Sequence, residues 1–588
     1  MKKKTLVIVE SPAKGKTIAK YLGEDYIVKA SYGHMVDLPK NKLGIDINND
    51  FKVKYVIMDD RVKALDEIID ACEYVDKIIL ASDPDREGCA ISYHLRELLK
   101  STGKPIQRCM FKEITKEIIL NEIKNPKDID MNTFHAQEAR RVLDRIVGFT
   151  VSPFLMNYFG PNLSAGRVQS VVVRMVVDKE KEIASFKPEE YWNLTASLTD
   201  GKKSFIAKYD GKLKNKEETE KVKNDLLSKD VVFTVTSVTA KDKSEGPNPP
   251  LNTANLQKIL SKDYGLSIDR TMKAAQNLYE NGWVSYIRTD SVRMSDDALV
   301  ALRKFLKENC LPMPKKANVY KTKEEAQDAH ECIRPTNVNQ KPENANGIGA
   351  DEKKVYEAVW KHFVSSQMTP AVYATLEVKI SSSTKQNFKV SGKALKDPGY
   401  LVIFGEQDLG AIQIPVLTAK QIVFLTGTNP IVTEQKHTQP PGRFSESKLV
   451  DELERREIGR PSTYAETINK ITNRGYVEKK GVIFHPTELG KKITNILVDL
   501  FPFMDYKYTA DMERKLDDIE GGKLKKLDML KEFFVPFKQQ LNNAYNKQGA
   551  TFCDKCGEPM ILRKNAKNGD TFQGCSAYPA CYFTKPVK

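Results

Sequence analysis

Three carboxylates stand within five residues in 81-ASDPDREG-88, directly after the apolar run DKIIL. Asp83, Asp85 and Glu87 repel one another at that spacing unless positive charge sits among them. A helix starting at CAISYHLRELL uses one acid as its N-cap and a second in its first turn, which leaves the third without a structural reason. Hard oxygen ligands at the carboxyl end of a buried strand suit Mg²⁺, and in open α/β sheets that end is where ligands bind. The first strand supplies a complement: VIVESPAKGKT ends an apolar run on Glu10, with Lys14 and Lys16 in the turn behind it. If the two strands are neighbours, Glu10 faces the acidic trio and the lysines offset its charge. The GKT tripeptide is no P-loop, because Glu10 stands where the first glycine of that motif is required; this turn is not an ATP site.

A nucleophile is offered by 282-GWVSYIRTDS-291. On an extended segment Tyr286 and Arg288 point to the same side. The forked donors of arginine match phosphate oxygens, and its charge favours both a phenolate and a phosphoryl transition state. A free phenol titrates near ~10, so activation is required. An aryl phosphate ester is also a good leaving group, so a cut made this way reverses without ATP. At the carboxyl end Cys553, Cys556, Cys575 and Cys581 are spaced C-x₂-C-x₁₈-C-x₅-C, a ligand set for tetrahedral Zn²⁺. Phe552, Phe572, Tyr578, Tyr582 and Phe583 interleave there with Arg563, Lys564 and Lys567, a pattern on which single-stranded DNA stacks. Packing of a very small domain also accounts for one or two of those aromatics.

The elements that must position these groups fill 588 residues, too many for one core. A net charge of +15 favours a polyanionic partner, although a well-solvated lysine-rich surface gives the same number. No apolar run approaches the ~20 residues that cross a bilayer, so no membrane partner is expected. The basic start MKKK resembles a signal peptide, but its apolar stretch ends at Glu10. Five of the nine cysteines are scattered, which speaks against a disulfide framework and for a reducing cytosol. Residues 1–130 alternate β-rich runs with helical ones, the pattern of a largely parallel α/β sheet. Two β-rich stretches, 189–245 and 366–435, read as halves of one β domain interrupted by 246–365. The segments from Leu256 and from Leu449 both run helix, glycine, helix, then Gly-aromatic-Val. The gaps Gly265–Gly282 and Gly459–Gly475 differ by one residue, which reads as two winged-helix-like modules.

Glu10 followed by Asp-x-Asp-x-Glu resembles the Toprim domain of topoisomerases, bacterial primases and some nucleases. SYIRTDS is similar to the active-site motif of type IA DNA topoisomerases. VIVESPAKGKTIAKYL, SYGHMVDLP, DPDREG, QEARRVLDRIVGF, LSAGRVQS, AHECIRP and RFSESKLVDELERREIGRPSTYA resemble that family's segments in the family's order. The ESPAK turn is most like bacterial DNA topoisomerase I. The resemblance implies a multidomain α/β protein: a Rossmann-like Toprim domain (1–130), a helical winged-helix-like domain (131–188 with 436–548), a β-rich arch (189–245 with 366–435), a winged-helix-like domain bearing the tyrosine (246–365), together forming a ring, and a zinc ribbon (549–588). It implies ATP-independent cleavage of one DNA strand through a 5′-phosphotyrosine on Tyr286, strand passage and religation that relaxes negative supercoils. Arg288 would stabilise the transition state, Glu10 would move a proton at the leaving oxygen, and Lys14 would assist. His330 would lie against the phosphate. Asp83, Asp85 and Glu87 with Glu10 would hold Mg²⁺, and Arg86 would be their counter-charge. His34, Arg86, Arg140, Arg141, Asp144, Ser164, Arg167, Gln169, Arg460 and Thr463 would contact single-stranded DNA. A monomer in the cytoplasm, at the nucleoid, is expected. Other readings are a topoisomerase III-like decatenase, a Toprim nuclease or primase that needs no Tyr286, and a DNA-binding protein without enzymatic activity. Cys89 stands where the family usually has Glu.

Overall fold

The computed structural model describes residues 4–321, 331–405, 412–547, 549–565, 569–576, 578 and 581–586. His330 and Lys567 lie outside the described residues. Near the amino end, strands Thr5–Val9, Tyr26–Ala30, Lys77–Ser82 and Ile106–Met110 form a parallel sheet in the order Tyr26–Ala30, Thr5–Val9, Lys77–Ser82, Ile106–Met110. Their apolar runs, TLVIV and KIILAS, are almost wholly buried because helices cover both faces. Val9 pairs with Ala81, which brings Glu10 and Asp83 together at the carboxyl ends of adjacent strands.

Strands from 190–245 and from 371–437 build one antiparallel sheet of seven strands around its own core of Leu194, Phe233, Phe388 and neighbours. Its strand Ser204–Tyr209 pairs with Glu190–Thr199 as well as with Asn387–Asp397, closing six strands on themselves and removing their free edges.

The helices Met131–Phe159 and Arg167–Ser185 share a second large core with Glu446–Arg455, Tyr464–Asn473 and Tyr506–Glu520. The helices Thr253–Asp263 and Ile268–Glu280 belong to a third core, which also takes in one face of the parallel sheet through Val7 and Ile79, with Phe111 just past its last strand. The segment carrying Tyr286 is thus packed against the parallel sheet. At the carboxyl end three short strands form a small antiparallel sheet.

Candidate active site

Asp85 caps the helix Arg86–Leu99 by accepting from Gly88 N at 2.8 Å, so the acidic loop is wound tightly onto a helix start. A Cβ on Gly88 would lie 2.3 Å from the Asp83 carbonyl oxygen, and no larger residue fits there. Glu10 Oε1 accepts from Asp83 N at 2.7 Å. Lys14, buried, forms an ion pair with Asp83, while Lys16 is exposed. Glu87 accepts from His34 Nε2 at 3.1 Å and from Gln137 Nε2 at 3.3 Å.

The tyrosine segment enters from across the sheet. Tyr286 N donates to the Lys112 carbonyl at 2.8 Å, and Tyr286 Oη donates to Asp85 Oδ2 at 2.5 Å. Arg288 Nη1 lies 3.5 Å from the same oxygen, so both side chains meet one carboxylate, in keeping with their period-two spacing. A small opening beside the ring is lined by Pro84, Lys112, Ser285, Thr289 and Arg334 among others.

Electrostatics divide these groups. Burial, then the nearby Asp83 charge, raises the Glu10 carboxyl to about 8, so it carries a proton near neutrality. Burial pushes Asp85 up, but Arg288, the Gly88 N–H and the Tyr286 hydroxyl outweigh it and hold the carboxyl below its ordinary range. Burial and Asp85 raise the Tyr286 phenol well above its usual value. The tyrosine is therefore stored as a neutral phenol in this DNA-free state.

The sequence places Arg86 among the acids as their counter-charge; its guanidinium instead turns away. It donates to Glu520 at 2.8 and 2.6 Å and to Asp517 at 2.5 Å on the helix Tyr506–Glu520. Lys14 and Arg288 offset the acids in its stead. Arg140 lies 3.3 Å from Glu513, and Arg460 pairs with Asp517. Arg167 is buried with Glu513 at 2.7 Å and Asp144 at 3.3 Å, away from any strand at the surface. Arg141 pairs with Asp37 at 2.6 Å. Ser164 Oγ accepts from Gln169 at 3.4 Å, and Thr463 Oγ1 accepts from Arg460 N at 3.0 Å just before the helix Tyr464–Asn473. Cys89 is buried, donates to the Asp130 carbonyl, and its thiol is pushed up to about 11 by burial, so it stays neutral and clear of the acids.

Sequence reasoning missed two groups at the site. Arg108 is buried and donates to Ser82 Oγ at 2.9 Å and the Asp83 carbonyl at 2.7 Å, bracing the acidic loop from behind. An arginine inside the apolar strand IQRCM was the available signal. Tyr279 donates to the Phe111 carbonyl at 2.7 Å and to Asp83 at 3.2 Å, and its ring meets Tyr286 edge-on at 5.3 Å; nothing in its sequence context marks it.

The sulfur atoms of the four tail cysteines all lie within 4.8 Å of one another, with Cys553–Cys581 at 3.6 Å and Cys556–Cys575 at 3.3 Å. Thiolates around one tetrahedral zinc sit about 3.8 Å apart, so the set needs only slight adjustment. Among the described residues no other group places three or more ligating atoms so close. Among the described residues, too, no helix is long and apolar enough to cross a membrane.

Comparison with known proteins matches residues 5–114 to the Toprim domain, 128–531 to a DNA topoisomerase family and 550–588 to the topoisomerase DNA-binding C4 zinc finger. A relative in Pseudomonas aeruginosa, DNA topoisomerase 1, is 37% identical over 98% of this chain and 72% of its own length. The crystal structure of full-length topoisomerase I from Thermotoga maritima superposes with a TM-score of 0.80 at 34% identity, covering 99% of this chain and 97% of that one. These matches agree with the strand-end acids, the buried tyrosine beside them and the cysteine cluster: the chain belongs to the type IA DNA topoisomerases, of the bacterial DNA topoisomerase I kind, enzymes that change DNA topology.

Proposed function

We propose that Tyr286 is the nucleophile with which this enzyme cuts one strand of DNA, and that the acidic cluster around it serves both cutting and rejoining. The observation that carries this is the meeting of Tyr286 and Arg288 on Asp85, between strand ends that also hold Glu10, Asp83 and Lys14. Tyr286 Oη bonds to phosphorus as the bond to the 3′ oxygen breaks. The phenol proton leaves along the hydrogen bond that already joins it to Asp85, and the 3′ oxygen takes the proton that Glu10 carries. Arg288 holds the phosphoryl oxygens as charge builds on them. The products are a 5′-phosphotyrosine and a free 3′ hydroxyl. The energy of the broken bond is kept in the ester, so resealing needs no ATP.

Glu10, Asp85 and Glu87, with Asp83, are the residues that would hold Mg²⁺. Each now rests on its own donor, an arrangement suited to an ion that keeps much of its water and takes one or two carboxylates. Burial first and the neighbouring Asp83 charge second raise the Glu10 carboxyl, and a bound cation would offset the second of these. Bound Mg²⁺ would supply charge neutralisation at the reacting phosphate. Zn²⁺ in the ribbon would be structural. Single-stranded segments of negatively supercoiled duplex are the substrate, bound along Arg140, Ser164, Gln169, Arg460 and Thr463, and a cytoplasmic monomer suffices for relaxation.

The test uses 3′-labelled single-stranded DNA, denatured after incubation, with labelled protein attached to the newly made 5′ end as the readout. Tyr286→Phe should abolish attachment and leave DNA binding within about twofold. Attachment retained in that variant overturns the assignment.

A further inference from the structure

Glu513, Asp517 and Glu520 stand at i, i+4 and i+7 of the helix Tyr506–Glu520, one above another on a single face. That face meets arginines from four separate segments: Arg167, Arg140, Arg460 and Arg86. Its two ends differ. Glu513 and Arg167 have no exposed side-chain surface, and a pair so buried is a fixed post, since losing one partner strands the other charge. Toward the other end, one turn on, the Asp517 side chain is 31% exposed and that of Arg460 21%, within reach of a phosphate.

Asp517 divides its oxygens: Oδ1 accepts from Arg86 at 2.5 Å, and Oδ2 accepts from Arg460. Arg86 is the first residue of the helix Arg86–Leu99, flanked by Asp85 and Glu87, so force on its guanidinium is force on the acidic loop. Arg460 spends its other terminal nitrogen on the Gly459 carbonyl at 2.8 Å. A phosphate arriving at Arg460 therefore meets Asp517 as a rival of the same sign for one edge of one guanidinium.

We propose that Asp517 is a positioning residue that couples strand occupancy at Arg460 to the acidic loop through Arg86. The inference rests on Arg460 being a contact for the DNA strand. With no strand bound, the carboxylate is shared. Once a phosphate takes Arg460, Asp517 gives both oxygens to Arg86, and together with Glu520 it clamps the loop that carries Asp83, Asp85 and Glu87. Strand binding thus stiffens the loop before the strand is resealed.

Two measurements on the full chain test this, both in EDTA and in a Tyr286→Phe background so that binding stays non-covalent. The first is fluorescence anisotropy with labelled single-stranded DNA. Asp517→Asn keeps the shape and removes the rival charge, so affinity should rise about three- to tenfold and the salt slope should steepen by up to ~0.7, one phosphate's worth. Asp518→Asn removes the same charge one residue away, from a side chain whose ion-pair partner is Lys523 at 3.9 Å, and should shift affinity less than about twofold. The second is hydrogen exchange of residues 83–90. DNA should slow exchange there in the parent and in Asp517→Glu, but not in Asp517→Asn. Weaker DNA binding by Asp517→Asn, or loop protection that survives it, overturns the coupling. Arg460→Ala separates the two levels: weakened binding in that variant keeps the groove assignment standing, and unchanged binding removes it and the coupling with it.

Discussion

The helix pair Thr253–Asp263 and Ile268–Glu280 and the pair Glu446–Arg455 and Tyr464–Asn473 follow one plan. Each ends in a glycine with positive φ, Gly282 at 76° and Gly475 at 69°, then an aromatic residue and a valine. After that they part. The second continues into a hairpin, Val477–Lys480 with Ile483–Pro486, the wing of a winged helix. The first makes no such hairpin: Val284 forms a lone bridge with Pro335, and the chain lies instead against the Toprim backbone at Lys112 and Ile114. The repeated pattern therefore dictates the helices and their glycine stop, while the surface that the next residues meet decides whether they pair with themselves or dock elsewhere. The docked version is the one that carries Tyr286.

The largest effect should come from the two glycines. A Cβ on Gly282 would lie 2.5 Å from the Ile114 carbonyl oxygen, whereas a Cβ on Gly475 meets nothing within 4 Å. Gly282→Ala combines left-handed strain with a collision against backbone, about 2–4 kcal/mol, and should slow 5′ attachment by ~100-fold because it displaces Tyr286 from its carboxylate. Gly475→Ala carries the strain alone, about 1 kcal/mol, with attachment unchanged within about twofold. Thermal unfolding and the attachment assay read both. Equal losses in the two variants would mean that docking against Ile114 does not position the tyrosine.

What could be read beforehand follows the same division. Glu10, Asp83 and Asp85 were legible because parallel strands buried on both faces leave unbroken apolar runs, and polar residues at their ends stand out. The tail cysteines were legible from spacing, and the common side of Tyr286 and Arg288 from strand periodicity. The direction of Arg86 was not. A long side chain at a helix start can reach either way, and its partners Asp517 and Glu520 lie more than four hundred residues further along the chain. The burial of Arg167 on Glu513 escaped for the same reason: a basic residue beside a candidate DNA motif looks alike whether it faces solvent or a buried acid. The missing wing after Gly282 depends on the Toprim surface, which local sequence does not describe.

A smaller effect is expected where the second repeat keeps its own aromatic. Tyr476 occupies the slot that Trp283 fills in the first repeat. Its hydroxyl accepts from Ser164 N at 2.8 Å and donates to the Ser164 carbonyl at 2.9 Å, tying down the LSAGRVQS loop. Tyr476→Phe leaves both backbone groups without that partner, at about 1–2 kcal/mol. Single-stranded DNA affinity, measured by anisotropy, should fall about three- to tenfold, while the attachment rate of bound strand stays the same. A loss of attachment rate with affinity intact would reverse the roles of the two repeats.

The smallest effect concerns the seam where the repeats face each other. Lys258 on the first helix of one repeat lies 2.9 Å from Asp451 and 3.2 Å from Glu454 on the first helix of the other, and Ile268 N donates to Glu446 at 2.8 Å beside them. Asp451 is more than half exposed, so solvent screens much of that attraction, and Lys258→Met should change stability by under about 1 kcal/mol. In the reaction proposed above, strand passage requires Tyr286 to move away from the acids with the cut end attached, and this seam lies between the tyrosine's repeat and the helices that flank Arg460. Weakening a contact made only in the closed form lowers the barrier to opening without touching the chemistry. Plasmid relaxation by Lys258→Met should therefore run up to about twofold faster at low salt and lose part of its salt dependence, with 5′ attachment unaltered. A slower variant with unchanged attachment would place the moving boundary elsewhere, and the two repeats would then travel as one body.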